Sequence, residues 1–205
     1  MKSIKYIVAA TIAAGLTVSS YAGLISVDWG TGTDTYLADN SLNYLTGDLI
    51  EIGTFASAPT VGSPSLAGFS VFASATDDSG GAFSEASSAS ETGFTHTQIY
   101  LVAFNAPTQV AATQELIFYV TDTGAGANWK FPASSDVPNS TSIDPQDGFN
   151  GATAQLVNGG VIVYGEAVAD PSGPYTALET VPEPSSIALV VLGLLGGIGL
   201  IRRRS

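Results

Sequence analysis

The sequence predicts an all-β protein: a single β-sandwich or jelly-roll-like body, flanked by an N-terminal signal helix and a C-terminal transmembrane helix. Three observations lead there. Short runs of alternating or β-rich residues recur between Gly, Pro, Asn and Asp clusters, and no long amphipathic helical pattern breaks their sequence. Only 12% of the residues are charged, and Gly, Ser, Thr and Ala are abundant beside Val, Ile, Tyr and Phe, which suits extracellular β structure. Each end carries an apolar run too hydrophobic to belong to the body.

The strands expected from these runs are Ile25 to Trp29, Leu49 to Phe55, Phe69 to Ala75, Thr97 to Phe104, Leu116 to Thr123, Trp129 to Phe131 and Gln155 to Ala169. Asp77 to Gly81, Gly124 to Gly126 and Asp144 to Gly148 separate them as turns. Within the last run, Asn158-Gly159-Gly160 supplies residues that tolerate positive φ, so a hairpin joining a short strand to Val161 to Tyr164 is expected. About seven strands at this spacing suit a sandwich or barrel. Asn40 to Leu45 is expected to form a single turn.

The 205 residues thus divide into a signal peptide (1–22), an acidic body (23–180) and a C-terminal anchor (181–205). Of the 18 acidic residues all but Glu183 fall in the body, where Lys130 is the sole base, so the body's formal charge is −16. A surface of that sign repels phosphate backbones and anionic lipid, which excludes nucleic acid as a partner. With no cysteine, neither disulfides nor thiolate chemistry is available, and stability must come from the core.

At the N-terminus, Lys2 and Lys5 precede the apolar run Ile7 to Val18, and Ser20-Tyr21-Ala22 places small residues at the −3 and −1 positions of a signal-peptidase site. Cleavage between Ala22 and Gly23 is expected, and with it export. At the C-terminus, Val181-Pro182-Glu183-Pro184 precedes an unbroken apolar run from Ile187 through Leu192 and Leu195 to Ile201, closed by Arg202, Arg203 and Arg204. The prolines remove backbone donors and keep the preceding residues extended, so an accessible peptide is expected ahead of the helix. The 15 apolar residues span about 22 Å as a helix, short of a ~30 Å hydrocarbon core, and snorkelling arginines close the gap. Three arginines fix that end in the cytoplasm and leave the body outside.

These C-terminal residues resemble the PEP-CTERM sorting signal, also called the ice-binding protein C-terminal domain, carried by exported proteins of Gram-negative bacteria that make exopolysaccharide. Pro182-Glu183-Pro184 matches its signature, Ile187 to Ile201 its membrane segment and Arg202 to Arg204 its basic tail. The resemblance implies exosortase, an integral-membrane cysteine transpeptidase, as a processing partner. It also implies transient anchoring in the inner membrane before delivery to the cell surface or extracellular matrix, and exopolysaccharide as a neighbour there. It covers the tail and leaves the function of the body to be argued from other residues.

No enzyme is expected of the body, and no catalytic residues are assigned. His96 is the single histidine and no nucleophile elbow accompanies it. A two-carboxylate glycosidase would have to draw on Asp77, Asp78, Glu85, Glu91 or Glu115, whose separation a sequence does not give. No metal site is assigned, and no cofactor is expected. Calcium is the one ion the composition leaves open, at Asp77-Asp78, at Asp122 with Asn128, or at Asp144 with Asp147 and Asn150. Aspartates in such turns more commonly bond their own backbone. The row Thr31, Thr33, Thr35 would align three hydroxyls on one strand face. Trp29 and Trp129, with Tyr36, Tyr44 and Tyr175, would supply stacking platforms if the body is a carbohydrate-binding module, and core packing explains such aromatics equally well. The leading expectation is an exported, non-enzymatic envelope or matrix protein.

Overall fold

In a computed structural model, the structure describes residues 23–31, 35–77, 82–121, 129–150, 153, 155–169 and 176–182. The expected signal peptide with Ala22 lies outside the described residues, as do Glu183, Pro184, the membrane segment with Ile187, Leu192, Leu195 and Ile201, and Arg202 to Arg204. Among the described residues no helix is long and apolar enough to cross a membrane.

Six strands form the largest sheet. β3 (Leu49–Phe55) lies between β4 (Phe69–Thr76) and β6 (Tyr100–Phe104); β6 continues to β7 (Gln114–Val120), and β7 pairs on its far side with both β11 (Gly160–Tyr164) and β14 (Val181–Pro182). All of these pairings are antiparallel. Alternation along β3 sends Ile50 and Ile52 to one face and Leu49, Glu51 and Phe55 to the other. β1 (Leu24–Gly30) runs antiparallel to β5 (Ser84–Ser90) and parallel to β8 (Ser140–Ile143) in a second sheet. In a third, β13 (Thr176–Glu179) is antiparallel to β12 (Glu166–Ala169) and parallel to β2 (Thr35–Ala38). β9 (Phe149–Asn150) and β10 (Gln155–Leu156) complete the set as a two-stranded pair.

Both faces of the six-stranded sheet are covered. On one face Ile50, Ile52, Leu101, Leu116 and Phe118 pack with Ile25, Val27 and Trp29 of β1, Leu37 of β2 and Ile143 of β8, together with Trp129, Phe131 and Phe149. On the other, Phe55, Tyr100, Val102, Phe104, Ile117, Val163 and Tyr164 form a second cluster, with Leu66 and Phe69 packed against it. A row of rings, Phe69, Phe55, Tyr100 and Tyr119, runs across four strands of that face with centroids 4.8 to 5.0 Å apart. The loop between β3 and β4 lies over this face, its Gly62 N–H donating to the Val163 carbonyl at 2.6 Å. This double coverage is why β6 is buried at all five positions and reads as a continuous apolar run. Each fully buried Ile, Leu or Phe contributes roughly 1.5–3 kcal/mol relative to exposure.

The expected strands at Leu49 to Phe55 and Phe69 to Ala75 are present, and β1 covers Ile25 to Trp29. Three expectations are corrected. The run Thr97 to Phe104 becomes a strand only from Tyr100, because Phe94 to Thr97 turn under Glu91 and His96 holds φ 54°. Trp129 to Phe131 makes an isolated bridge, Gln98 to Lys130, rather than a strand. The turn at Asn158 and Gly159 has the positive φ angles foreseen, 48° and 82°, but the segments it joins do not pair with each other: β10 pairs with β9, and β11 with β7. Asn40 and Ser41 form the turn expected of that stretch.

Candidate functional site

The residues just before the tail are woven into two sheets. β13 matches β2 from Thr176 opposite Thr35 to Glu179 opposite Ala38. The chain then leaves that sheet at Thr180, which is fully buried, with its N–H donating to the Ala38 carbonyl at 2.8 Å. Val181 and Pro182 next enter the six-stranded sheet as β14, opposite Glu115 and Gln114 of β7. They are extended, as the proline spacing requires, but their backbone is paired with β7.

The ladder accommodates the proline. The Gln114 backbone faces the other way, its N–H donating to Asn105 Oδ1 at 2.9 Å and its carbonyl accepting from the Asn105 N–H at 3.3 Å. Antiparallel alternation then turns the Glu115 backbone toward Val181 and leaves Pro182 where no donor is needed.

The Gln114 side chain ties this strand down. Its Oε1 accepts from Thr180 Oγ1 at 3.1 Å and from the Asn40 N–H at 3.0 Å, while its Nε2 donates to Asn40 Oδ1 at 2.8 Å. The Asn40 loop is itself built by Asp39, whose Oδ1 accepts from the N–H groups of Ser41 and Asn43 at 2.8 and 2.9 Å. Partial burial raises the Asp39 pKa, but the hydrogen bonds from Asn43 and Ser41 outweigh it and hold the carboxyl below its ordinary value. A cavity of about 230 Å³ adjoins β7 at this point, lined by Pro64, Leu66, Phe104, Gln109, Ala112, Gln114 and Glu115. Glu115 is 2% exposed.

The other candidates fall elsewhere. Gly23, on the mature side of the expected cleavage point, donates its N–H to Glu91 Oε1 at 3.4 Å and accepts at its carbonyl from the Glu91 N–H at 3.0 Å. Glu91 Oε2 is occupied by the Ser134 N–H at 2.7 Å. The His96 side chain meets Asp136 Oδ2 at 3.0 Å on the surface, and that oxygen also takes the Ala133 N–H at 2.7 Å. Asp77 follows β4, Glu85 lies in β5, Glu91 follows β5 and Glu115 lies in β7, while Asp78 is outside the described residues. Asp144 and Asp147 form a capping box around the turn Pro145–Asp147, and Asp147 Oδ2 also accepts from Trp129 Nε1 at 2.9 Å. Among the described residues no group of three or more His, Asp or Glu is placed to hold a metal ion; Asp122 and Asn128 lie outside them.

Of the two readings open for the tryptophans, the structure takes core packing. Trp29 and Trp129 are 2% and 1% exposed, so they are core residues and present no ring face to a ligand. Thr35 is fully buried and Thr31 Oγ1 accepts from the Phe83 N–H at 3.2 Å, so these two do not present an open hydroxyl row; Thr33 lies outside the described residues. Tyr36 and Tyr44 remain as a pair, centroids 5.2 Å apart and tilted by 36°, with Tyr44 partly exposed; Tyr175 lies outside the described residues. Gln114, Asn40 and Thr180 carry no sequence signal of their own, since only the fold brings together residues 66 and 74 positions apart.

The family model for the PEP-CTERM protein-sorting motif matches residues 180–204. The match begins at the buried Thr180 and takes in β14, and it supports an exported protein sorted by an exosortase. No curated protein and no solved structure matches the chain.

Proposed function

We propose, with the PEP-CTERM sorting motif as premise, that this chain is a non-enzymatic component of the cell envelope or extracellular matrix, delivered by an exosortase. In this reading a signal peptide ending at Ala22 exports the chain. The segment Ile187 to Ile201 with Arg202 to Arg204 holds it transiently in the inner membrane of a Gram-negative host. Processing at Val181 to Pro184 then passes a β-sandwich body to the cell surface, where exopolysaccharide is its neighbour. The single observation that carries the reading is the sorting motif at residues 180–204. The acidity of the body agrees with an exported, soluble cargo.

The test is intact mass and fractionation of the protein from its native host, for the wild type and for a variant with Pro182, Glu183 and Pro184 replaced by alanine. The wild type is expected outside the membrane and without Arg202 to Arg204, the variant whole and membrane-bound. Retention of the arginines in both would make the tail a plain anchor and overturn the sorting part of the proposal.

A second reading, a carbohydrate-binding module, is favoured by the partly exposed Tyr36 and Tyr44 pair, because tilted phenol rings can stack on sugar faces. Glycan-array binding that disappears in Tyr44→Ala, with the fold intact, would promote it.

A further inference from the structure

We infer that the body is itself the first partner of the sorting segment: β14 is seated on β7 under a Gln114 clamp, and a processing enzyme acts on the segment only after β14 has left. The inference rests on the reading above for the enzyme, but the clamp is a property of the folded body. A peptide-processing site binds its substrate extended, with backbone groups free to pair with the enzyme. Val181 is not in that state, because it stands opposite Glu115 in the ladder. Thr180 is fully buried, and its N–H and hydroxyl are committed to Ala38 and Gln114.

The seat is built for release as well as retention. β14 has two residues, and Pro182 donates nothing to the ladder, so few backbone bonds hold it and local opening is far easier than global unfolding. The Gln114 side chain, bonded to Asn40 and Thr180 together, sets how often the strand opens. A body that has not folded lacks these contacts, so the clamp slows processing of the folded chain relative to the unfolded one.

The experiment follows tail loss by pulse-chase in the native host, using the full chain. Gln114→Ala is expected to lose its tail about fivefold faster, the shift in opening that accompanies loss of one net hydrogen bond. Glu115→Cys with Val181→Cys places a disulfide across β7 and β14 in a chain that has no cysteine of its own. Directly opposed residues stand about 5.5 Å apart, within disulfide range. The oxidised pair is expected to keep its tail until a reductant is added, and the same chain kept reduced throughout is the control that loses it.

Processing of the oxidised pair at the wild-type rate would overturn the inference while leaving sorting intact. If the wild type never loses its tail, the sorting reading fails and the clamp is judged by hydrogen exchange of the Thr180 and Val181 amides in the purified full chain. Protection that Gln114→Ala removes upholds the clamp. Exchange in the wild type at the rate of an unstructured peptide overturns it.

Discussion

Replacing Trp129 by alanine separates a folding role from a binding role. The indole is 1% exposed, meets the Phe118 ring edge-on at 5.5 Å and donates Nε1–H to Asp147 Oδ2 at 2.9 Å. Removing a buried Trp side chain costs about 3–5 kcal/mol in lost transfer energy and cavity formation. The bond to a charged carboxylate carries a further ~1.5–3 kcal/mol, of which part is retained because Asp147 Oδ2 still accepts from the Asp144 N–H at 3.1 Å. Against a domain stability of roughly 5–15 kcal/mol, the variant is left near the edge of folding. With a urea slope of about 2 kcal/mol/M, a 4 kcal/mol loss moves the midpoint down by about 2 M. The assay is urea unfolding followed by far-UV circular dichroism, run beside a glycan array. Trp129→Phe, which keeps an aromatic ring but no donor, should lose less. A midpoint within about 0.5 M of wild type, together with loss of glycan binding, would refute the burial argument and return Trp129 to a ligand face.

Gly160→Ala should destabilise the body by at least about 1–3 kcal/mol, because a Cβ there would run into the Gly148 carbonyl and the backbone has no flexible side chain to yield. A urea midpoint indistinguishable from wild type would show that the approach of these segments is looser than described. Acid should weaken the body through Glu91 and Asp136. The Ser134 hydrogen bonds hold the Glu91 carboxyl below its ordinary value, and the Ala133 N–H, then His96, do the same for Asp136. A depressed folded pKa adds stability that is complete above the unfolded value, about 4.3 for Glu and 3.9 for Asp, and is lost as pH falls through the folded one. The urea midpoint of Glu91→Gln should therefore fall less steeply than that of wild type below about pH 4.5; parallel curves would remove Glu91 from the account.

The parts of the fold that were legible in the sequence are those with a local period. Leu49 to Phe55 alternates and is a strand over that range. Ser84–Ser90 is a strand of equal length, yet Ser-Glu-Ala-Ser-Ser-Ala-Ser has no apolar face to read; its pairing with β1 makes it one. Asn158 and Gly159 announced their turn through positive φ, but which strands pair on either side of it was decided by β9, just upstream of β10, and by β7, far earlier in the chain. The tryptophans could be read as core or as platform until Phe83, Phe118 and Asp147 were seen around them. The sorting motif was legible as a motif because its proline spacing, apolar run and arginines are contiguous. Its seat was not, because Gln114 and Asn40 are ordinary polar residues whose role exists only once β7, the Asn40 turn and Thr180 meet.

The switch of the chain between sheets at Thr180 also fixes the mechanics of the body. Tension carried along the chain from its C-terminal side meets β14 before β13, so the bonds of the two-residue strand to β7 are the first of these to bear it. Behind them lies β13, gripped by β12 on one side and β2 on the other over four rungs each. The body therefore yields in two stages under drag: a weak first slip of the two-residue strand, then a stiff stop at β13. A slack link of this kind absorbs a brief tug without transmitting it to the core.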